Sequence, residues 1–168
     1  MPGAFSCAVL ALATLATGHQ AGLFYGYAIS VMPGLARADA RTEVTAMRRI
    51  NTAIQNPWFF ATFLGAPLFI LAAAGLHLQP AGRAALPWIV AALVLYATMF
   101  TVTATVNVPL NERLDATGAA GAPDDAGEIR ERFHDRWVRW NNVRAIACAS
   151  AFGCLVVALC VTGPTPAP

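Results

Sequence analysis

Four long apolar stretches alternate with polar segments along this chain. They cover residues 4–32, 58–76, 86–106 and 143–161. Each is close to the roughly 20 residues that an α-helix needs to cross a bilayer. The first stretch also continues well past the length of a signal peptide's apolar region, so we expect it to be retained as a span. The pattern predicts an all-α protein, a four-transmembrane-helix bundle that forms a single membrane domain over residues 1–168.

The polar segments predict helical extensions at one end of this bundle. Residues 40–55 contain neither Gly nor Pro, and their apolar residues recur at helical spacing. From Glu128 the chain runs into the fourth span without a helix breaker, so that helix should project from the membrane. The Gly- and Asp-containing stretch 117–127 is instead typical of a flexible linker.

Charge patterning gives the expected orientation and location. All eleven basic residues are arginine, which we interpret as the codon usage of a GC-rich bacterial genome. Most of them lie in the first and third connections between spans, and the positive-inside rule therefore predicts a bacterial cytoplasmic membrane protein with both termini outside. Acidic residues interleave the arginines, which argues against nucleic acid as a partner.

The first apolar stretch carries polar residues near its middle. His19 and Gln20 lie there, and Tyr25 follows closer to the end of the stretch. Polar side chains in the membrane tend to face the bundle interior. A buried histidine tends to stay neutral, because desolvation disfavours its cation. His19 is therefore a general base, a group that orients a ligand, or a packing residue hydrogen-bonded across helices. Tyr25 and Tyr27 are each either an interface residue or part of a pocket wall.

A second polar group precedes the second span. Asn51 and Gln55 share one helix face at a spacing of four residues. Asn56 stands directly before Pro57, which suits a helix N-cap followed by proline at the first helical position. Trp58 then opens the apolar stretch. We expect Asn56 to be a cap, whereas Asn51 and Gln55 could serve either packing or a site.

The third span ends in a stretch that reads NVPLN from Asn107 to Asn111. On a continuous helix, Thr103, Asn107 and Asn111 lie on one face. Pro109 donates no hydrogen bond and clashes with the preceding turn. The helix should therefore either bend there or end near Asn107, and the asparagines are interpreted first as caps for a broken helix.

A fourth polar group leads into the last span. Trp137, Asn141 and Arg144 fall on one helical stripe that turns toward the bundle. Arg144 lies inside the apolar register, where it could snorkel to the surface, bind an anionic group, or pair with Glu112 or Asp115. An ion pair is the favoured interpretation at this point.

The four polar groups together indicate a single site, because their residues, except His19 and Gln20, fall at span ends on the predicted cytoplasmic side. A four-helix bundle with a polar mouth and a histidine below it has the shape of a pocket. The four cysteines lack metal-ligand spacing, and neither a metal site nor a disulfide is expected from them.

Four segments of the chain resemble the anthrone oxygenase-like family of small integral membrane proteins. The two most specific are the NVPLN stretch and the W-x-x-W-N-x-V-R pattern from Trp137 to Arg144. Many relatives carry histidine where this chain has Asn142, so no role of that histidine transfers. The four segments are residues 21–35, 50–59, 102–116 and 132–147.

The resemblance implies a cofactor-independent monooxygenase of aromatic polyketide biosynthesis that oxidises an anthrone-type substrate with O₂. We assign His19 as the base, the amides and the arginine as donors to the developing oxyanion, and the aromatic residues as stacking surfaces. The catalytic candidates are His19, Asn107, Asn111 and Arg144. The substrate-binding candidates are Gln20, Tyr25, Asn51, Gln55, Trp58, Trp137 and Asn141.

Two other classes of function stay open. A non-catalytic membrane protein could bind a small lipophilic ligand or brace a partner, with the polar cluster serving only as contacts between helices. A haem or quinone redox subunit is disfavoured, because His19 is the one histidine expected deep in the membrane. The expected partners are the bilayer, O₂ and a lipophilic or aromatic substrate; assembly into a homo-oligomer is left open.

Overall fold

The computed structural model describes residues 3–120 and 126–162, and these residues form helices and short turns without any strand. Two π-helical turns, Tyr27–Val31 and Thr103–Asn107, continue α1 into α2 and α5 into α6. A short 3₁₀ turn, Pro80–Gly82, lies between α4 and α5. The helices are α1 (Ala4–Gly26), α2 (Met32–Leu35), α3 (Ala40–Ala53), α4 (Pro57–Leu76), α5 (Leu86–Val102), α6 (Val108–Ala120) and α7 (Ala126–Thr162).

Four helical segments are long and apolar enough to cross a membrane: Ala4–Leu35, Pro57–Leu76, Leu86–Thr117 and Ala126–Thr162. The predicted all-α bundle is thus confirmed, and the chain is an integral membrane protein. Its helices extend beyond the predicted spans. The third continues to Ala120, so the predicted flexible linker is helical up to that residue, and its next five residues lie outside the described part of the chain.

Close packing of small residues holds the spans together. Helix α7 packs against both α1 and α5, and α1 also packs against α4. Leu10, Ile70, Ile89 and Leu155 are fully buried at the centre, with buried alanines from every span between them. Small side chains let helix backbones approach closely, and in a bilayer that close contact is a main source of helix association.

Pro67 lies inside α4 and is compensated from another helix. Proline has no N–H, so the carbonyl four residues earlier, that of Phe63, loses its usual helical donor. The hydroxyl of the fully buried Tyr96 donates to this carbonyl at 2.8 Å. The α4 helix therefore continues through the proline, and the bond also ties α4 to α5.

Pro109 does not break the third span, so the interpretation of Asn107 and Asn111 as caps is wrong. The π-helical turn Thr103–Asn107 widens the helix just before the proline, and the amide of Val108 bonds back to the carbonyl of Thr103. The helix then continues into α6. The asparagine side chains are left available for contacts with α7 instead.

The predicted helix within residues 40–55 is confirmed as α3. Asp39 caps it by accepting from the amide of Thr42 at 2.9 Å. As predicted, Asn56 caps α4 by accepting from the amide of Phe59 at 3.0 Å. Helix α3 lies against the bundle through Met47, which is fully buried. Its apolar neighbours there are Met32, Leu110, Leu114, Phe133 and Trp137. We call this part of the molecule, where α3 and α6 meet the spans, the arginine-rich end.

Candidate functional site

A cavity of about 360 Å³ opens at the arginine-rich end, between α1, α3, α4, α6 and α7. Each element contributes residues at one-turn spacing, because one face of every helix points into the same space. The lining residues are Leu23, Phe24, Tyr27, Asn51, Ile54, Gln55, Phe59, Phe60, Phe63, Thr103, Val108, Asn111, Glu112, Asp115, Trp137 and Arg144.

Flat aromatic rings form much of the apolar wall. Phe59 and Phe63 stack with their ring centroids 5.0 Å apart, and Phe63 stacks in turn on Phe100 at 5.1 Å. On another wall, Tyr27 packs against Trp137 at 5.5 Å. Aromatic side chains provide broad, rigid apolar surfaces. The cavity is therefore suited to a flat, lipophilic ligand.

Arg144 is the main charged group in the inner part of the cavity, and only 5% of it is exposed. Its guanidinium lies 4.6 Å from the centroid of the Phe24 ring and 5.2 Å from that of Trp137. Within the described chain it has no carboxylate partner, so the favoured ion pair with Glu112 or Asp115 is wrong. Cation–π contacts stabilise the buried charge instead.

Two asparagines behind the wall fix the orientation of Arg144 and Trp137. Arg144 Nη2 donates to Asn141 Oδ1 at 2.9 Å, and Asn141 Nδ2 donates to the carbonyl of Phe24 at 3.1 Å. Asn107 Nδ2 donates to the carbonyl of Trp137 at 3.4 Å. Neither Asn107 nor Asn141 lines the cavity, so both act as support for the residues that do.

Asn111 holds the side chain of Trp137, whereas Asn107 bonds its backbone. The indole Nε1 donates to Asn111 Oδ1 at 2.9 Å. A tryptophan whose N–H is already bonded presents only its apolar ring face to a ligand. The NVPLN stretch therefore positions the aromatic wall of the cavity through both of its asparagines.

Two buried donors of the lining have no partner among the described residues. They are Arg144 Nε and Asn51 Nδ2, on α7 and α3. Buried polar groups are almost always hydrogen-bonded, and an unpaired one costs about 1–3 kcal/mol. Unpaired donors in a cavity are therefore suited to an acceptor that a ligand brings, above all an oxygen with negative charge.

Two carboxylates line the cavity on α6. Asp115 lies 4.0 Å from Arg48, measured between Oδ1 and Nε. Glu112 has neither a salt bridge nor a side-chain hydrogen bond within the described chain, and its side chain is exposed. No group of three or more His, Cys, Asp or Glu residues in the described part of the chain is arranged to hold a metal ion.

The structure brings together some of the predicted site residues and leaves others apart. His19 is exposed on the outer surface of α1, where its Nδ1 bonds the carbonyl of Leu15 at 2.7 Å. Tyr25 and Trp58 are 56% and 85% exposed and also face away from the cavity. The predicted position of His19 below a pocket is therefore wrong. The predicted residues that do line the cavity are Asn51, Gln55, Asn111, Trp137 and Arg144.

Gln20 belongs to the packing between spans. It is buried and donates from Nε2 to Thr62 Oγ1 at 2.7 Å, which ties α1 to α4. Sequence reasoning misses Phe24, which follows Gln20 at helical spacing, and leaves Tyr27 open between the membrane interface and a pocket wall; Tyr27 lines the cavity. It considers Glu112 and Asp115 only as partners of Arg144, although with Val108 and Asn111 they form a regular stripe of α6.

A second polar cluster lies outside the cavity, between α3 and α7. Glu43 is buried, and its two carboxylate oxygens contact Arg130 Nε at 2.8 Å and His134 Nδ1 at 2.5 Å. Arg130 also donates to the carbonyl of Ala36 at 2.7 Å. This cluster joins the segment after α2 and helix α3 to the projecting part of α7.

Comparison with known families identifies the protein class. The sequence matches the family described as anthrone oxygenase over residues 58–154, which is more than half of the chain. The chain belongs to the anthrone oxygenase family. The match covers α4 to α6 and most of α7, and hence the aromatic stack, both carboxylates, Trp137 and Arg144. No curated protein and no solved structure matches the chain significantly.

Proposed function

We propose that the chain is a membrane oxygenase that converts an anthrone-type polycyclic aromatic to a quinone with O₂ and without a cofactor. The observation that carries this proposal is the buried Arg144, which has no carboxylate partner and an unpaired Nε among the described residues, in an aromatic-lined cavity of an anthrone oxygenase family member. The cavity volume of about 360 Å³ lies in the range of about 300–1,000 Å³ for small-molecule sites.

The chemistry begins with an acidic methylene group. In an anthrone this carbon lies between two aromatic rings, and a carbonyl occupies the opposite corner of the middle ring. Loss of a proton gives an anion whose charge is delocalised onto that oxygen. Arg144 Nε and Asn51 Nδ2 are unpaired and would donate to this oxygen. Preorganised donors of this kind stabilise developing charge more effectively than water does.

The electron-rich anion supplies the electrons for O₂, which is why no cofactor is required in this proposal. One electron passes to O₂, and the resulting radicals combine at the former methylene carbon to form a peroxide. The peroxide takes up a proton to become a hydroperoxide. The O–O bond then breaks, the remaining C–H proton and the released hydroxide leave together as water, and a carbonyl remains. One anthrone and one O₂ thus give one anthraquinone and one water.

The aromatic walls would orient the flat substrate. The stacked Phe59 and Phe63 contribute one ring surface, and Trp137, held by Asn111, contributes another. Gln55 lies at the exposed margin of the lining. These residues, rather than Tyr25 and Trp58, are proposed to contact the substrate.

The arginine-rich end is proposed to face the cytoplasm of a bacterium, because the positive-inside rule assigns arginine-bearing loops to that side. The substrate, an aromatic polyketide in this proposal, would then enter from the cytoplasm or the inner leaflet. Tagging either terminus and testing its accessibility in intact cells checks the orientation. A tag accessible only after the membrane is permeabilised would contradict it.

Oxidation of an anthrone by the purified chain is the direct test. The protein in detergent is mixed with anthrone in buffer with and without O₂, and quinone absorbance and O₂ consumption are followed. We expect one O₂ to be consumed per quinone, at a rate that scales with protein concentration above the spontaneous rate. Saturable anthrone binding without any rate above that background would instead support a non-catalytic ligand-binding protein.

A further inference from the structure

We infer that Glu112 is the general base that removes the methylene proton of the substrate, an inference that rests on the proposed oxygenase function. Glu112 lines the same cavity as Arg144. The two side chains come from different helices, α6 and α7, and do not form an ion pair with each other. A carboxylate without a salt bridge among the described residues and a guanidinium with an unpaired Nε that line one cavity are suited to act on the same ligand.

The shape of an anthrone requires the donor to its oxygen and the base for its methylene group to lie on different walls of the cavity. Its carbonyl oxygen and its methylene carbon lie at opposite corners of the middle ring. A substrate whose oxygen contacts Arg144 therefore presents its acidic C–H bonds to another wall. Two carboxylates line the cavity on α6, whereas His19 is exposed on the outer surface of α1.

The contacts of the other candidates favour Glu112. Asp115 is drawn toward Arg48 and also borders a separate surface groove. His134 is bonded to Glu43, and His77 is buried with its Nδ1 on the carbonyl of Ala73. Neither histidine lines the cavity.

Three other charged or titratable residues line the cavity with Glu112 among the described residues: Asp115 on the same helix, and Tyr27 and Arg144 on the spans. Arg48 on α3 lies beside Asp115.

The proposed step balances without any further reactant. The C–H bond breaks, its proton passes to a carboxylate oxygen of Glu112, and the electron pair is delocalised to the oxygen held by Arg144. Because the Glu112 side chain is exposed, the proton can then pass to water at the mouth of the cavity. Oxygen enters only after this step, so proton removal can be measured without it.

Deuterium exchange under anaerobic conditions isolates the step. The full chain in detergent is incubated with anthrone in D₂O without O₂, and loss of the methylene proton signal is followed by NMR. We expect wild-type protein to accelerate exchange, and Glu112→Gln to reduce that acceleration about 10²–10⁴-fold, the range for loss of a general base. Anthrone binding, followed by quenching of tryptophan fluorescence, should be retained in this nearly isosteric variant.

The matched control is Glu131→Gln, which makes the same change at an exposed glutamate of α7 outside the cavity, and it should exchange like wild type. Glu112→Asp keeps a carboxylate on a shorter side chain and should lie between wild type and Glu112→Gln. It also provides the comparison should the glutamine variant not fold.

The outcomes separate this inference from the proposed function. Wild-type quinone formation together with unchanged exchange in Glu112→Gln would overturn the base assignment and leave the oxygenase intact. Loss of exchange in Asp115→Asn but not in Glu112→Gln would also overturn it. If wild type neither exchanges nor oxidises anthrone, both the inference and the proposed function are wrong.

Discussion

The two halves of the bundle use the same helices for different purposes. In the half away from the arginine-rich end, the buried residues are mostly aliphatic side chains and alanines in close contact, among them Leu10, Ile70, Ile89 and Leu155. At the arginine-rich end, the interior holds a cavity, a guanidinium and several amides. One half gains stability from packing, whereas the other gives up part of that packing to keep polar groups unpaired.

Both π-helical turns border the second half. One joins α1 to α2 at Tyr27–Val31, and the other precedes Pro109 at Thr103–Asn107. A π-helical turn inserts an extra residue per turn and rotates the following side chains, and such turns occur frequently at functional sites. Here the turns supply Tyr27 and Thr103 to the cavity lining. This difference between the halves predicts that mutations in the packed half will mainly affect stability. Mutations at the arginine-rich end should mainly affect turnover.

The largest effect on stability is expected from truncation in the packed half. Leu155 is fully buried, so Leu155→Ala should lower the free energy of unfolding by about 2–5 kcal/mol, because it removes contacts and leaves a cavity. The control Leu71→Ala truncates a side chain that is 52% exposed and should have much less effect. Chemical denaturation in detergent measures both; equal losses would contradict the packing difference.

A large effect on turnover is also expected from Arg144→Met. Loss of one preorganised donor to an oxyanion lowers the rate by about 10²–10³-fold. Stability should be unchanged or higher, since an apolar side chain in place of a buried charge is often neutral or stabilising. Anthrone oxidation and thermal unfolding are the two measurements, with the exposed Arg139→Met as the control. A strong loss of stability would instead make Arg144 a structural residue.

A smaller effect, on stability alone, is expected from Tyr96→Phe. This change leaves the carbonyl of Phe63 without the donor that replaces Pro67, and an unsatisfied buried group costs about 1–3 kcal/mol. Pro67→Ala restores a backbone N–H and should recover stability more strongly in the Tyr96→Phe background than in wild type. Unfolding free energies of all four proteins provide the test, and simple additivity would contradict the compensation.

The smallest effect is expected from His19→Ala. The ring is exposed and bonds only within its own helix, so the free energy of unfolding should change by no more than about 0.5 kcal/mol. Anthrone turnover should stay at the wild-type level. A folded His19→Ala protein without turnover would restore His19 as the base and contradict the cavity assignment.

The sequence by itself determined the elements of the fold. Apolar runs long enough to span a bilayer can form only helices there, because every backbone group must be bonded within the segment. The caps of α4, the helix α3 and the projecting α7 were likewise predictable, since capping and periodicity are local. The conspicuous NVPLN and W-x-x-W-N-x-V-R patterns were sufficient to indicate the family.

Only the tertiary structure decided which polar residues share the site. His19 on α1 and Asn51 on α3 are both polar residues in helices of the bundle, yet one is exposed and the other lines the cavity. The difference depends on the rotation of each helix about its axis, which is set by neighbours distant in sequence. The contact of Tyr96 with Phe63 is likewise tertiary. Local patterns cannot specify it, because it depends on two spans packed side by side.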